Sequence, residues 1–451
     1  MRRRVAELEA FVRELQARIN RHAGNSSVPP SANPPAAPKP VVKVPTGRKP
    51  GAQPGHPPHP RVRLPADRVQ EFVHHRPRHC RRCRHALPVE PGPHDPPPSW
   101  HQVTELPPIA AVVTEHVGHT RTCPGCGART HATGPADIRA HVVGPRLAAA
   151  ITYLSGGRHD RKRGVEDVVE TLFGVPVSLG TVAATEREVS AALAPAHDEA
   201  VAAVRAAPVK NVDETGWKQA GKPCWLWAGV TQAVACFRIH ARRGFEGLRA
   251  LLGDAPTGVV GSDRWCAYGR LDVRDRQLCW AHLKRDFRAM VDRGGPSEPI
   301  GHELPCFVED LFLDWHRVRD GTMSRATLRR TIDAWRPGFR EVLERGAACG
   351  CAKTAAVCRN LRELEPALWT FTRVEGVEPT NNAAERAVRP AVLWRKRSFG
   401  CHGEAGCRFV ERILTVVQTL RRQKRPAFDF LVEAIDARRQ GRPTPRLLTS
   451  G

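Results

Sequence analysis

The chain has 451 residues and is 41% hydrophobic, so it is too long for one ordinary domain and can build a substantial core. Its formal net charge of +24 repels itself unless a polyanion neutralises it, and nucleic acid is the usual one. No run of about 18 apolar residues is present, which excludes a membrane-spanning helix. Residues 5–19 carry charges throughout, so no secretory leader is expected. The fourteen cysteines are therefore expected to be reduced thiols or metal ligands.

In chain order, Val5, Leu8, Val12, Leu15 and Ile19 repeat at coiled-coil spacing, which predicts a short helix over residues 1–23. Residues 24–65 are Pro-rich, and residues 1–65 hold twelve Lys/Arg against three Asp/Glu, the composition of an extended arm that lies along phosphates. Residues 66–135 carry Cys80-Arg-Arg-Cys83 and Cys123-Pro-Gly-Cys126, together with a predicted strand at Ile109 to Thr114. Two C-x-x-C turns supply four thiolates, the ligand set of one structural Zn²⁺. The second turn has better chemistry, with Pro124, Gly125 and Gly127; His79, His85 and His119 are substitute ligands.

Residues 136–207 read as helical, with helices at Arg146–Leu154, Val165–Leu172 and Gly180–Ala203, the last capped by Ser178. In a basic chain this pattern is compatible with a DNA-binding helix-turn-helix and equally with plain helical packing. From residue 208 the pattern changes to short apolar runs. Val209–Val212, Trp225–Val230 and Val234–Ile239 predict an antiparallel meander. Val259–Val260 and Gln277–Trp280 are later strands that alternate with helices, which predicts mixed pairing. Residues 290–375 read as a helical insertion in a domain running over 208–430, followed by a tail at 431–451.

Three acids stand out within that domain. Asp213 is expected at the end of the strand Val209–Val212, and Asp263 at the end of Val259–Ser262. Glu385 falls in Thr380-Asn-Asn-Ala-Ala-Glu385-Arg386, where Thr380 or Asn381 can cap a new helix. Three converging carboxylates suit two Mg²⁺ or Mn²⁺ ions roughly 4 Å apart, the arrangement used for phosphoryl transfer. Glu214 rivals Asp213; Asp213 is preferred because it follows the apolar strand directly. Residues 386–425 hold eleven Lys/Arg against two acids, and Arg389, Arg395, Lys396 and Arg397 are candidates for phosphate contact.

The stretches Asn25–Ser31, Arg48–His56, the paired C-x-x-C, Asp213–Trp217, Ser262-Asp263, Cys279-Trp-Ala-His-Leu283 and Thr380–Arg386 resemble, in this order, the insertion-sequence-66 family of bacterial transposases. The resemblance implies an α/β, RNase H-like mixed-sheet catalytic domain with a helical insertion. It would be preceded by a small zinc-ribbon-like domain, a helical region and an N-terminal helix. It implies Asp213, Asp263 and Glu385 as metal ligands, with His282 and Arg386 beside them. It further implies hydrolytic nicking at element ends and attack of the 3′-hydroxyl on target DNA. The expected partners are element-end and target DNA, further copies of the chain on that DNA, and small accessory proteins, all in the cytoplasm and nucleoid. A nuclease that cuts without joining and a zinc-dependent DNA-binding protein without catalysis are the alternatives.

Overall fold

The computed structural model describes residue 12 and residues 61–448. Apart from Val12, which is helical and exposed, the predicted N-terminal helix lies outside the described residues, as does the Pro-rich arm up to residue 60. The described residues fall into two units, 61–110 and 111–448.

The first unit has no regular element beyond a single turn at Ala66–Arg68. Its chain is tied by Gln102, whose side-chain amide exchanges two hydrogen bonds with the Leu64 backbone, and by Arg61, which donates to Gln102 O and to Thr104. No residue of this unit is buried. An apolar core is therefore not what holds it.

The second unit opens with residues 111–135, none of which is buried. The strand predicted over Ile109–Thr114 is not formed: the segment is irregular, and Val112 is 96% exposed. It follows Pro107-Pro108, which offer no backbone donors, and no partner strand lies beside it. A hairpin does form from β1 (Thr120–Thr122) and β2 (Arg129–His131).

After a one-turn helix at Ala136–Arg139 come four longer helices, α1 (Pro145–Thr152), extended by a π-helical turn at Tyr153–Gly157, α2 (Lys162–Phe173), α3 (Leu179–Ala192) and α4 (Ala194–Ala206). The long helix expected over Gly180–Ala203 is two, because Pro195 begins a new helix after Leu193. Ser178 caps α3 as expected, accepting from the Thr181 N–H at 3.1 Å. The turn after α2 is closed by Gly174 in the left-handed region, so helix, turn and helix are all present.

The sheet is built from β3 (Val209–Gln219), β4 (Lys222–Val230), β5 (Ala235–His240), β6 (Val259–Ser262) and β7 (Arg276–Leu278). Its order is β5-β4-β3-β6-β7; β3–β4 and β4–β5 pair antiparallel, and β3–β6 and β6–β7 pair parallel. The meander and the mixed pairing match the pattern expected of the apolar runs. The last strand ends at Leu278, short of the predicted Trp280, because Cys279 caps a helix.

Helix α5 (Phe245–Leu252) joins β5 to β6. Between β7 and the final helices lies a helical insertion: α6 (Trp280–Arg293), α7 (Glu298–Arg319), α8 (Arg325–Ala348), α9 (Ala352–Glu363) and two short turns at Glu365–Leu368 and Thr370–Arg373. It has its own core, in which Trp280, Phe339 and Trp369 meet with ring centroids 5.0–5.7 Å apart. The chain closes with α10 (Asn382–Ser398), α11 (Glu404–Arg422) and α12 (Ala427–Arg439). These pack with α1–α4 and the sheet into the larger core. No helix among the described residues is long and apolar enough to cross a membrane.

The β5 edge of the sheet is closed by a helix rather than a strand. Glu411, Thr415 and Thr419 of α11 accept from the N–H groups of Ile239, Phe237 and Ala235 at 2.5, 3.1 and 3.1 Å. Four helical residues rise about 6.0 Å and two strand residues about 6.8 Å, close enough for three successive matches. The edge donors are thereby paired inside the chain and cannot recruit another strand.

Candidate active site

The register of β3 and β6 aligns the two aspartates. Val209 pairs with Val259, Lys210 with Val260 and Asn211 with Gly261, so two residues further on Asp213 is level with Asp263. The next pairing, Ser262 with Leu278, brings Cys279 level with Asp263. Asp213 is not at the end of its strand, as the apolar run implied. It sits in the middle of β3, paired with Ala228 of β4. The parallel pairing to β6 does stop before it, so it stands at the lip of that half of the sheet.

Glu385 reaches the same place because the start of α10 is stitched to the sheet. The insertion returns to β7 through Gln277, which accepts from Phe371 N–H at 2.8 Å, and through Trp280, whose indole donates to Leu368 O at 2.9 Å. Trp280 N–H then binds Pro379 O at 2.9 Å. Asn381 does the rest: its amide donates to Val212 O at 2.8 Å, accepts from the Asn211 amide at 3.0 Å, and its backbone N–H points to Cys279 Sγ at 3.2 Å. The predicted side-chain cap is therefore absent; Asn381 occupies the cap position but spends its amide on β3. A Cβ on Gly261 would fall 2.4 Å from the Asn211 amide nitrogen, so only glycine leaves room for this link.

Asp213 senses both of the other acids. Burial, then the charges of Glu214, Asp263 and Glu385, push the Asp213 carboxyl well above its ordinary range. Asp263 Oδ1 is oriented by the Trp265 N–H at 2.8 Å, and Glu385 Oε1 lies 3.3 Å from His282 Nδ1. That nitrogen is buried and lacks an aligned hydrogen-bond partner. Burial and Arg285 pull the His282 imidazole below its ordinary value, against Glu385.

Glu214 faces the other side of β3, since successive strand residues alternate. Its side chain is 1% exposed; it accepts from Tyr268 at 2.6 Å and from Arg243 at 3.0 Å. Arg243 is held between Trp225 and Trp265, its guanidinium 4.7 and 4.0 Å from the two rings. Burial still raises the Glu214 carboxyl, while Tyr268 and Arg243 pull it back.

Of the basic residues, Arg386, Arg389 and Lys396 are exposed and make no ion pair among the described residues. Glu385, Arg389 and Lys396 share one face of α10, within about 40° at 100° per residue. Arg386 lines a cleft of about 230 Å³ with Trp315, His316 and Arg319. Arg395 and Arg397 are not free for phosphate: Arg395 binds Gly216 O, and Arg397 pairs with Asp160 at 3.4 Å.

The two cysteine turns take the same backbone form. Cys80 N–H donates to His85 O and Arg84 N–H to Cys80 O; Cys123 N–H donates to Ala128 O and Gly127 N–H to Cys123 O. The fifth residue is left-handed in both, Arg84 at φ 63° and Gly127 at φ 71°. Backbone N–H groups of the turn lower the thiol pKa of Cys80, from Cys83 and Arg82, and of Cys123, from Cys126 and Gly125. Each turn is thus shaped to present a thiolate.

A sequence profile of the Transposase IS66 family matches residues 141–408. The chain belongs to this family. The match begins just before α1 and runs into α11, so it contains the whole sheet, the insertion and all three acids. Two proteins of Sinorhizobium fredii (strain NBRC 101917 / NGR234) are each 26% identical to the chain. Uncharacterized protein y4qI aligns over 246 residues, 49% of this chain and 45% of its own length. Uncharacterized protein y4hP aligns over 352 residues, 68% of this chain and 62% of its own length. The chain thus spans about half to three-fifths of the length of these relatives.

The residue types alone did not single out Asn211, Arg243 and Tyr268, and pointed to Asn381 only as a helix cap. Asn211 and Asn381 carried a signal, since each lies within four residues of an acid. Arg243 and Tyr268 carried none, because their role depends on how β3 alternates and how the 266–270 turn folds back.

Proposed function

We propose that the chain is a transposase that cuts DNA at the ends of its element and joins the freed 3′-hydroxyl to target DNA. The observation that carries this reading is the strand register that brings Asp213 level with Asp263, with Glu385 near enough to help raise the Asp213 carboxyl. The sheet order supports an RNase H-like domain, with β4 alone running against its neighbours.

The donor set fits two Mg²⁺ or Mn²⁺ ions. The three candidate ligands are all hard carboxylates, and burial and neighbouring negative charge raise that of Asp213, a cost that a cation relieves. When bound, such ions offset charge on the attacking and leaving oxygens of a phosphodiester. Asp213 and Asp263 are fixed by strand register, Glu385 by Asn381, and Arg389 and Lys396 extend a cationic track along α10 from the site. Arg386 and His282 flank it.

The domain plan follows the sequence: a helix over 1–23, an arm over 24–65, a zinc-binding region over 66–135, helices over 136–207, the catalytic domain over 208–430 and a tail. One structural Zn²⁺ on Cys80, Cys83, Cys123 and Cys126 is supported by the shared turn form and by the lack of buried residues in 61–110 and in 111–135. The pairing of the two turns about one ion comes from their sequence alone. For α2 and α3 as a helix-turn-helix, the exposed residues of α3 are Leu179, Gly180, Ala184 and Arg187.

The test is Mg²⁺-dependent cleavage and strand transfer with DNA carrying the element's own ends. Asp263→Asn, folded normally, is expected to lose both steps. Full activity in that variant overturns the assignment, and cleavage without joined product, with all partners supplied, reduces it to a nuclease.

A further inference from the structure

Overlapping the carboxylate triad at Glu385, one cluster among the described residues brings together three different metal-binding side chains. Cys279, His282 and Glu385 each offer one ligand atom, and these atoms all lie within 4.8 Å of one another. The arrangement is built from two directions. Cys279 is the N-cap of α6 and His282 follows three residues later, which puts both on one face of that helix. Glu385 is delivered from α10 by the Asn381 link described above.

The His282 Nδ1 to Glu385 Oε1 separation of 3.3 Å is about the edge of a tetrahedron around zinc, where ligand atoms stand roughly 3.3–3.8 Å apart. The His282 nitrogen is buried without a hydrogen-bond partner, so it has a lone pair or a proton with no acceptor aligned to it. Cys279 is 2% exposed, and His282 and Glu385 are 26% and 40% exposed, which leaves an open approach on the side away from the thiol. The donor set is sulfur, imidazole and carboxylate, a mixture that suits borderline cations such as Zn²⁺ and Co²⁺ better than Mg²⁺.

We propose that Cys279, His282 and Glu385 form a second cation site, for a thiophilic divalent ion of the zinc type, which shares Glu385 with the hard-cation site. Binding forms a sulfur–metal bond and releases the Cys279 thiol proton to solvent, so no oxidant or reductant is needed. An ion held there draws Glu385 toward α6 and away from Asp213 and Asp263. The shared carboxylate rests on the proposed function, but the site itself does not.

The experiment titrates the full-length protein with Co²⁺ and reads both stoichiometry and thiolate-to-cobalt charge-transfer absorption. Cys279→Ser is expected to remove one equivalent and its share of that absorption. His282→Ala and Glu385→Gln are expected to weaken the same equivalent at least about tenfold. The double variant Cys80→Ser/Cys83→Ser, which alters the N-terminal turns, leaves it in place. Identical spectra and equivalents in the wild type, Cys279→Ser and His282→Ala overturn the proposal. A loss confined to Cys279→Ser also overturns it, by reducing the site to a lone thiol. Should Cys279→Ser fail to fold, His282→Ala and Glu385→Gln decide alone. Failure of DNA cleavage, with cobalt bound as expected, counts against the proposed function and not against this site.

Discussion

Asp213 and Glu214 are neighbours in one strand, yet the two sides of β3 treat them differently. On one side the protein supplies Glu214 with a phenol, a guanidinium and two indole rings around that guanidinium. On the other, Asp213 has no cationic partner among the described residues: burial and the charges of Glu214, Asp263 and Glu385 raise its carboxyl, and only the Glu214 backbone N–H pulls it back. A buried acid whose partners are built in belongs to the scaffold. A half-buried acid left among like charges is kept at a cost that a bound cation offsets. The contrast supports proposing Asp213, rather than its neighbour Glu214, as the metal ligand.

The largest effect should come from removing a ligand on the uncompensated side. Asp213→Asn or Asp263→Asn is expected to lower Mg²⁺-dependent cleavage by at least about a thousandfold, the loss of several kcal/mol of transition-state stabilisation. Single-turnover cleavage measures it, with Glu214→Gln as the comparison that should lose far less.

Stability should move the other way. The folded Asp213 carboxyl titrates above its ordinary 3.8, so its contribution is intact below that value and is lost as pH rises through the higher folded value. Without divalent cations, Asp213→Asn should therefore melt above the wild type at pH 7, and the gap should close in acid below about pH 4. Thermal melts across pH, in chelator, read this directly; a gap that persists unchanged in acid contradicts it.

Glu214→Gln should destabilise by about 1–3 kcal/mol, because Tyr268 and Arg243 lose a charged acceptor in a largely buried setting. Urea unfolding reads the change, and a stability equal to the wild type would remove the contrast between the two faces.

Much of this was legible in the sequence, for reasons that differ by residue. The runs of β4, β5 and β6 are mostly apolar, with β-branched or aromatic residues in each and only Arg238 interrupting β5, so they announced their strands. Asp213 read as a strand end because the apolar run stops at Val212. The strand continues through Asp-Glu-Thr-Gly-Trp because β4 supplies a partner, which is tertiary information. Ile109–Thr114 failed the other way: the right residue types formed no strand because nothing pairs with them. Cys279, quoted only as part of a motif, gained its place beside His282 and Glu385 from two long-range hydrogen-bonded links through Asn381.

The smallest effect concerns the first cysteine turn. Arg84 holds the left-handed position that Gly127 fills in the second, so Arg84→Gly should stabilise that turn by about 1 kcal/mol. Zinc retention against a graded chelator is the measure, and faster loss from the variant would contradict the shared turn form.

The most direct test of the central contrast is Mn²⁺ soaked into crystals of the full-length protein and located by anomalous scattering. The account predicts a peak within about 2.0–2.3 Å of carboxylate oxygens of both Asp213 and Asp263. A strong peak on Glu214, or Mn²⁺ bound elsewhere with none in reach of Asp213, would contradict it.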